Sequence, residues 1–201
     1  MLYIFDVGGV VTTTSHAEEK ICDILNMSCD KFMSLCRGDM SYSEETGNLL
    51  RLYSDGAIDT KVFWHRFNER SGLCVKTDWW HWCFHPVRDE GTYDIIRLLK
   101  KNGNRVVCGT NTVDSHYRNH IERGDYEVFD QTYASCLMGV SKPDADFWNI
   151  ILAAEQTQPG NAVFIDDRKD NCDAAASLGI HVFQFSDAQT LKADLTVSGL
   201  L

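Results

Sequence analysis

Three short, largely apolar runs in this chain stop abruptly at polar residues, and that pattern is what most restricts its fold. Leu2 to Phe5 ends on Asp6 and a Gly8-Gly9 turn, Arg105 to Cys108 ends on Gly109-Thr110-Asn111, and Ala162 to Ile165 ends on Asp166-Asp167. Short apolar runs without alternation suit strands buried on both faces. Between them the pattern turns helical. Asp94 to Lys101 carries Ile95, Ile96, Leu98 and Leu99, and Asp114 to Arg123 is a polar helix. Asp144 to Glu155 sets Phe147, Ile150, Ile151 and Ala154 on one face, and Asn171 to Leu178 closes at Gly179. Tyr133 to Ser135 and Ile180 to Phe183 supply two more strands. Buried strands alternating with helices predict an α/β fold, a doubly wound parallel sheet covered on both faces.

Residues 15–88 have a different texture. His16 to Met27 is amphipathic, with Ala17, Ile21, Ile24 and Leu25 near one face, and Cys29 to Cys36 is closed by Arg37-Gly38. Tyr42 to Tyr53 and Asp59 to Arg70 read as two further helices, joined by an Asp55-Gly56 turn, with Asp59 or Thr60 as N-cap. Asp78 to His85 is an aromatic run ending at Pro86. No strand signal occurs in this stretch. The division expected is a core of residues 1–14 and 89–201 with an all-helical insertion at 15–88, which a chain of 201 residues can accommodate.

Charge narrows the partners. The chain has 19 basic and 29 acidic side chains, a formal net charge of −10, so nucleic acid and anionic membranes are not expected partners. An anionic small substrate would need local help from a cation. The eight cysteines form no CxxC pair and several lie inside apolar runs, so they read as reduced thiols. The amino terminus has no basic n-region and no stretch reaches membrane-spanning length, so a cytoplasmic location is the expectation.

The chemistry gathers at the strand ends, where a doubly wound sheet binds its ligands. Asp6 follows the first strand, Thr110-Asn111 the second and Asp166-Asp167 the third, and Lys142 stands in Gly-Val-Ser-Lys-Pro-Asp before a helix. Each has an ordinary reading alone, as a cap, a turn or a loop. Together they describe three carboxylates that would repel one another without a cation between them. Oxygen donors of this kind suit Mg²⁺. A hydroxyl, an amide and an ammonium then face the same point, the groups that grip phosphoryl oxygens.

This constellation resembles the haloacid dehalogenase superfamily of phosphotransferases over nearly the whole chain. The opening Met-Leu-Tyr-Ile-Phe-Asp-Val-Gly and the later Arg-Val-Val…Thr-Asn-Thr look like its α-D-glucose-1-phosphatase-like branch. The resemblance implies roles. Asp6 would be the nucleophile and a metal ligand, and the Gly8 carbonyl a second ligand. Thr110 and Asn111 would hold phosphoryl oxygens, with Lys142 neutralising nucleophile and phosphate together. Asp167 would bind Mg²⁺ directly and Asp166 through a water. The helical insertion would be a mobile cap over a small phosphorylated metabolite, such as a sugar phosphate. The oligomeric state is not legible.

One position departs from the common family motif: Gly8 stands where a second Asp usually serves as acid for the leaving group. Its absence removes an effect worth about 10²–10⁴ in rate. Three readings stay open here. The substrate has a good leaving group, another group such as His16 or a water replaces the acid, or the protein is a weak catalyst or a phosphate-binding protein. The branch with the resembling motifs also carries Gly there. A metal-independent dehalogenase is the remaining alternative, disfavoured by the adjacent pair Asp166-Asp167.

Other residues read as structural. Trp79, Trp80, Trp82 and Phe84 are expected in the core of the insertion and along its seam with the main domain. His81 and His85 share a helix face, but Cys83 points away from it. His116 and His120 read as a solvated helix face, Glu18-Glu19 and Glu44-Glu45 as solvated faces of the insertion, and Cys108 as a buried strand residue.

Overall fold

Strand Leu2–Phe5 (β1) is buried at every position, as a strand must be when it runs through the middle of a sheet covered on both sides. The computed structural model describes residues 1–38 and 47–201. In it β1 lies between β2 (Arg105–Thr110) and β4 (Ala162–Asp166), with β3 (Gln131–Ala134) and β5 (His181–Gln184) outside them. The order is β3-β2-β1-β4-β5 and each neighbouring pair is parallel. Phe5, the last residue of β1, pairs with both Cys108 and Ile165, and β4 continues one residue and β2 two residues beyond that level. The polar residues that follow therefore emerge side by side at one edge, which confirms the α/β, doubly wound reading.

Two apolar layers sandwich the sheet. On one face Tyr3, Phe5, Val106, Cys108, Val163 and Ile165 pack with Ile95, Ile96 and Leu99 of the helix Glu90–Lys101. On the other, Leu2, Ile4, Val107 and Phe164 meet Phe147, Trp148 and Ile151 of Ala145–Ala154. The strand pleat makes this split, since alternate residues point to opposite faces. Ile150, expected on the buried side, is 41% exposed; Trp148 and Leu152 fill the space instead.

Between β1 and β2 the chain forms the helices α1 (Ala17–Ile24), α2 (Cys29–Arg37), α3 (Leu49–Ser54), α4 (Thr60–Ser71) and the short α5 (Trp79–Trp82); the first residues of the helix expected over Tyr42–Tyr53, 42–46, lie outside the described residues. Ser28, Asn48, Asp59 and Asp78 cap α2 to α5 by accepting backbone N–H bonds. The helices enclose their own core of Ile21, Phe32, Tyr53, Phe63, Phe67 and Trp80. Ile24 is the exception on α1, half-exposed rather than buried. Glu44 and Glu45 lie outside the described residues. The remaining helices are α6 (Glu90–Lys101), α7 (Asp114–Glu122), α8 (Ser135–Met138), α9 (Ala145–Ala154), α10 (Lys169–Ser177) and α11 (Ala188–Val197). The last was not anticipated. Its apolar signal is small, with Leu191 and Leu195 as its buried residues, while Asp187 caps it through Thr190. Among the described residues no helix is long and apolar enough to cross a membrane.

Helix α7 is where core and insertion meet. The Tyr53 hydroxyl lies 2.5 Å from Ser115 Oγ, Thr60 Oγ1 donates to Asp114 at 2.5 Å, and Arg118 donates to Asp78 at 2.7 Å. His116 and His120 are consequently not a solvated face. The His116 ring stacks on Phe84 at 3.8 Å, and burial, followed by the charges of His120 and His81, pushes its pKa down to about 3. His120 Nδ1 is 2.8 Å from Asp125, which also accepts from Arg88 at 2.7 Å and Arg123 at 3.0 Å. Arg123 reaches the Pro86 carbonyl as well, so this cluster pins the chain where it re-enters the core. The expected seam is otherwise present: Trp80 and Phe84 are buried and Trp79 is partly so, although Trp82 is 64% exposed.

Burial acts to raise the Asp125 pKa, but hydrogen bonds from His120, Arg88 and Arg123 outweigh it and hold the carboxyl well below the usual range. A depressed carboxylate stabilises the fold above its unfolded pKa of about 4 and loses that contribution as pH falls through the folded value. Asp125→Ala leaves two arginines without their buried partner. It should lower the unfolding free energy by about 3–5 kcal/mol in urea titration at pH 7, and the difference from wild type should shrink as the pH falls below about 4.

Candidate active site

The neighbouring ends of β1 and β4 bring Asp6, Asp166 and Asp167 together at one edge of the sheet. Asp6 leaves β1 with its backbone N–H bonded to the Ile165 carbonyl at 2.9 Å, which fixes it beside the end of β4. Lys142 arrives from the loop between α8 and α9, and its Nζ is 2.9 Å from Asp6 Oδ1, 2.7 Å from Asp166 Oδ2 and 2.9 Å from the Gly109 carbonyl. Its side chain is 1% exposed. All three ammonium donors therefore have partners from three adjacent strands.

Asp166 is saturated. Its Oδ1 accepts from the Arg168 N–H at 2.9 Å and Asn171 Nδ2 at 3.1 Å, while Oδ2 accepts from Lys142 and Asn171. A carboxylate offers about four acceptor positions, and protein donors face all of them. Asn171 was not anticipated, although its place one turn into the helix after Asp166-Asp167 is a usable signal. Asp167 stands beside the Gly8-Gly9 turn. Gly9 has φ +84°, and a Cβ there would lie 2.5 Å from Asp167 Oδ2, so glycine is required both by conformation and by contact. At Gly8 a Cβ would meet nothing within 4 Å.

Oxygens of Asp6, Asp166 and Asp167 lie within 4.8 Å of one another. The electrostatics register the crowding. Burial pushes the Asp6 carboxyl up, Lys142 pulls against it, and the charge of Asp166 adds to burial, leaving it raised. Asp167 is raised by burial and then by Asp166. Burial opposes the Lys142 ammonium, but Asp6 and Asp166 outweigh it and keep the pKa above its ordinary value. Three carboxylates facing one ammonium leave a surplus of negative charge, and a hard divalent cation with oxygen preference fits that surplus.

Thr110 is buried at the end of β2. The Asn111 side chain has a more specific task than its sequence position suggests. Its Nδ2 donates to the Lys142 carbonyl and its Oδ1 accepts the Lys142 N–H, both at 2.8 Å. The amide thus clamps the lysine backbone. Cys108 sits inside β2, and burial pushes its thiol well up, the opposite of a reactive thiolate. His81 pairs with Glu122 at 3.1 Å on the α7 side.

Comparison with known proteins places this geometry. A family model of haloacid dehalogenase-like hydrolases matches residues 1–179. The chain is 30% identical over 108 residues to a sesquiterpene phosphatase of Aspergillus oryzae, covering 53% of this chain and 54% of that protein. It is 33% identical over 69 residues to flavin mononucleotide hydrolase 1 of Arabidopsis thaliana, covering 34% and 28%. It thus spans about half, or less, of these curated relatives. A HAD family enzyme of Bacteroides thetaiotaomicron, solved with magnesium and inorganic phosphate, superposes with a TM-score of 0.75 at 21% identity, over 92% of this chain and 94% of that one. A HAD-like family hydrolase of Porphyromonas gingivalis superposes with a TM-score of 0.78 at 19% identity, over 98% and 96%. At such identities the likeness establishes a common fold.

The Asn111 clamp carries a direct test. Asn111→Ala removes both hydrogen bonds to the Lys142 backbone and should lower stability by about 1–3 kcal/mol. Equilibrium urea unfolding measures this, and an unchanged midpoint would show that the clamp contributes nothing.

Proposed function

The chain belongs to the haloacid dehalogenase-like hydrolases, and within that family we propose that it is a Mg²⁺-dependent phosphatase acting on a small phosphorylated metabolite through an aspartyl-phosphate on Asp6. The observation that carries this reading is the meeting of Asp6, Asp166 and Asp167, two of which, Asp6 and Asp166, share the buried Lys142 ammonium. Displacement of halide from carbon has no use for such an anionic cluster, whereas phosphoryl transfer uses the cation that the cluster would hold. The phosphatase and nucleotide-hydrolase relatives support the same class.

In this reading Asp6, Asp167 and the Gly8 carbonyl would hold Mg²⁺, and Asp166, whose acceptor positions are already taken by protein donors, acts through Lys142 rather than through a water. The bound ion would neutralise phosphoryl charge and orient the ester. Lys142 holds Asp6 as a carboxylate and balances charge on the incoming phosphate. Thr110 Oγ and the Asn111 N–H bind the transferring oxygens. The free oxygen of Asp6 attacks phosphorus, the bond from phosphorus to the leaving oxygen breaks, and the leaving group departs with the electron pair. Water then attacks phosphorus, breaking its bond to Asp6 and releasing inorganic phosphate and a proton. The helical segment, residues 15–88, serves as the lid over the site.

With glycine at position 8 the leaving group departs without an acid beside it. Substrates with stable leaving groups are therefore favoured, including anomeric sugar phosphates, and glucose 1-phosphate should turn over faster than glucose 6-phosphate. Flavin and terpenoid phosphates, suggested by the relatives, belong in the same screen.

Purified protein should hydrolyse p-nitrophenyl phosphate with Mg²⁺ and lose that activity in EDTA or in Asp6→Asn with the circular dichroism spectrum intact. Activity untouched by EDTA would overturn the metal assignment, and no turnover in the wild type would favour a phosphate-binding protein. The space at residue 8 gives a second test. Gly8→Asp should raise activity on glucose 6-phosphate relative to p-nitrophenyl phosphate, by up to the roughly 10²–10⁴ that a placed acid contributes.

A further inference from the structure

The Lys142 loop is held from two sides. Asn111 clamps it from within the core, and the second contact comes from the helical insertion. The turn after α3 reaches down onto the core here: Ser141 Oγ donates to Asp55 Oδ1, and the hydroxyls of Ser54 and Ser141 lie 3.3 Å apart. Ser135 Oγ donates to the Ser54 carbonyl at 2.7 Å and accepts the Thr112 N–H at 2.9 Å. Asp55 is braced on its own helix by Arg51, whose Nε is 3.5 Å away. Gly56 brings the turn against the core backbone. Its φ is +67°, and a Cβ there would stand 2.0 Å from the Cys136 carbonyl oxygen.

These contacts lie next to the chemistry in the chain. Ser141 immediately precedes Lys142, and Thr112 follows Thr110-Asn111. One turn of the insertion therefore grips both loops that bring groups to the phosphate position. Reacting groups displaced by about 1 Å can lose 10²-fold in rate, so what sets these loops matters to the reaction.

We infer that Asp55 is a positioning residue for Lys142: through Ser141 it fixes the loop that delivers the ammonium to Asp6, so that seating of the helical insertion and assembly of the phosphate site are one event. Its kinetic consequence rests on the phosphatase reading; its structural consequence does not.

The experiment compares Asp55→Ala, Asp55→Asn and Ser141→Ala with wild type in three measurements. These are kcat and KM on p-nitrophenyl phosphate with Mg²⁺, thermal midpoint, and the rate at which an amine-acylating reagent labels Lys142, mapped by mass spectrometry against exposed Lys61. Asp55→Ala should lower kcat on the order of ten-fold, as expected for one lost hydrogen bond to a charged group, with KM changed less than about two-fold. Lys142 should label several-fold faster than in wild type. Asp55→Asn keeps an oxygen that accepts from Ser141 and should recover most of both effects. Ser141→Ala should reproduce Asp55→Ala, and the double variant should be no worse than either, because the pair acts as one unit. Wild-type kcat and Lys142 labelling in Asp55→Ala would overturn the inference. So would a loss that Asp55→Asn does not restore and that follows a lowered thermal midpoint. Should Asp55→Ala fail to fold, Ser141→Ala carries the test. A wild type inactive on the probe would refute the phosphatase reading, and Lys142 labelling would then decide this inference alone.

Discussion

The buried ammonium of Lys142, shared between Asp6 and Asp166, is the interaction on which this site depends. An ion pair in so dry a place is stable only when every donor and acceptor is matched, because desolvation of each charge costs several kcal/mol. The matching is complete on the lysine side, with two carboxylates and the Gly109 carbonyl, and on Asp166, with Asn171 and the Arg168 N–H added. It is incomplete on the acid side as a whole. Asp6 and Asp167 remain raised because negative charge exceeds positive. The site is thus built with a surplus of negative charge that a divalent cation would offset.

The parallel sheet makes that arrangement possible. The ends of β1, β2 and β4 deliver Asp6, Thr110 and Asp166 to one edge of the sheet, while the side-chain amide of Asn111 is tied to the backbone of Lys142 by two hydrogen bonds. The helical insertion has its own core, yet it is mounted on the main domain through directional polar contacts. Tyr53, Thr60 and Asp78 meet Asp114, Ser115 and Arg118, and Ser54 and Asp55 meet Ser135 and Ser141. Hydrogen bonds between small side chains set a definite seating angle, whereas an apolar seam alone would allow sliding. Asp125 and its two arginines do the same for the returning chain.

Much of this was readable from sequence because the strands are short, apolar and end on chemistry. A strand buried on both faces advertises itself without alternation, and the residue after it marks the sheet edge. Asp6, Asp166 and Asp167 meet for that reason, and Lys142 reaches them from a loop. The less legible features depend on partners far along the chain. His116 and His120, four residues apart, look solvated until Phe84 and Asp125 are brought against them. The match between the Asn111 amide and the backbone of Lys142, 31 residues away, leaves no mark along the chain. Asp55 looks like a turn residue, and nothing in its neighbourhood announces Ser141. Ile24 and Ile150 sit at the margins of their apolar faces, where periodicity cannot separate buried from exposed.

On the proposed mechanism Asp6 becomes covalently phosphorylated during turnover. Quenching the reacting enzyme with borohydride converts an aspartyl-phosphate into a stable reduced side chain, which mass spectrometry can locate in the peptide containing residues 2–10. Reduction at residue 6, dependent on both phosphorylated substrate and Mg²⁺, is the predicted result. Phosphate release at full rate with Asp6 unmodified would contradict the account.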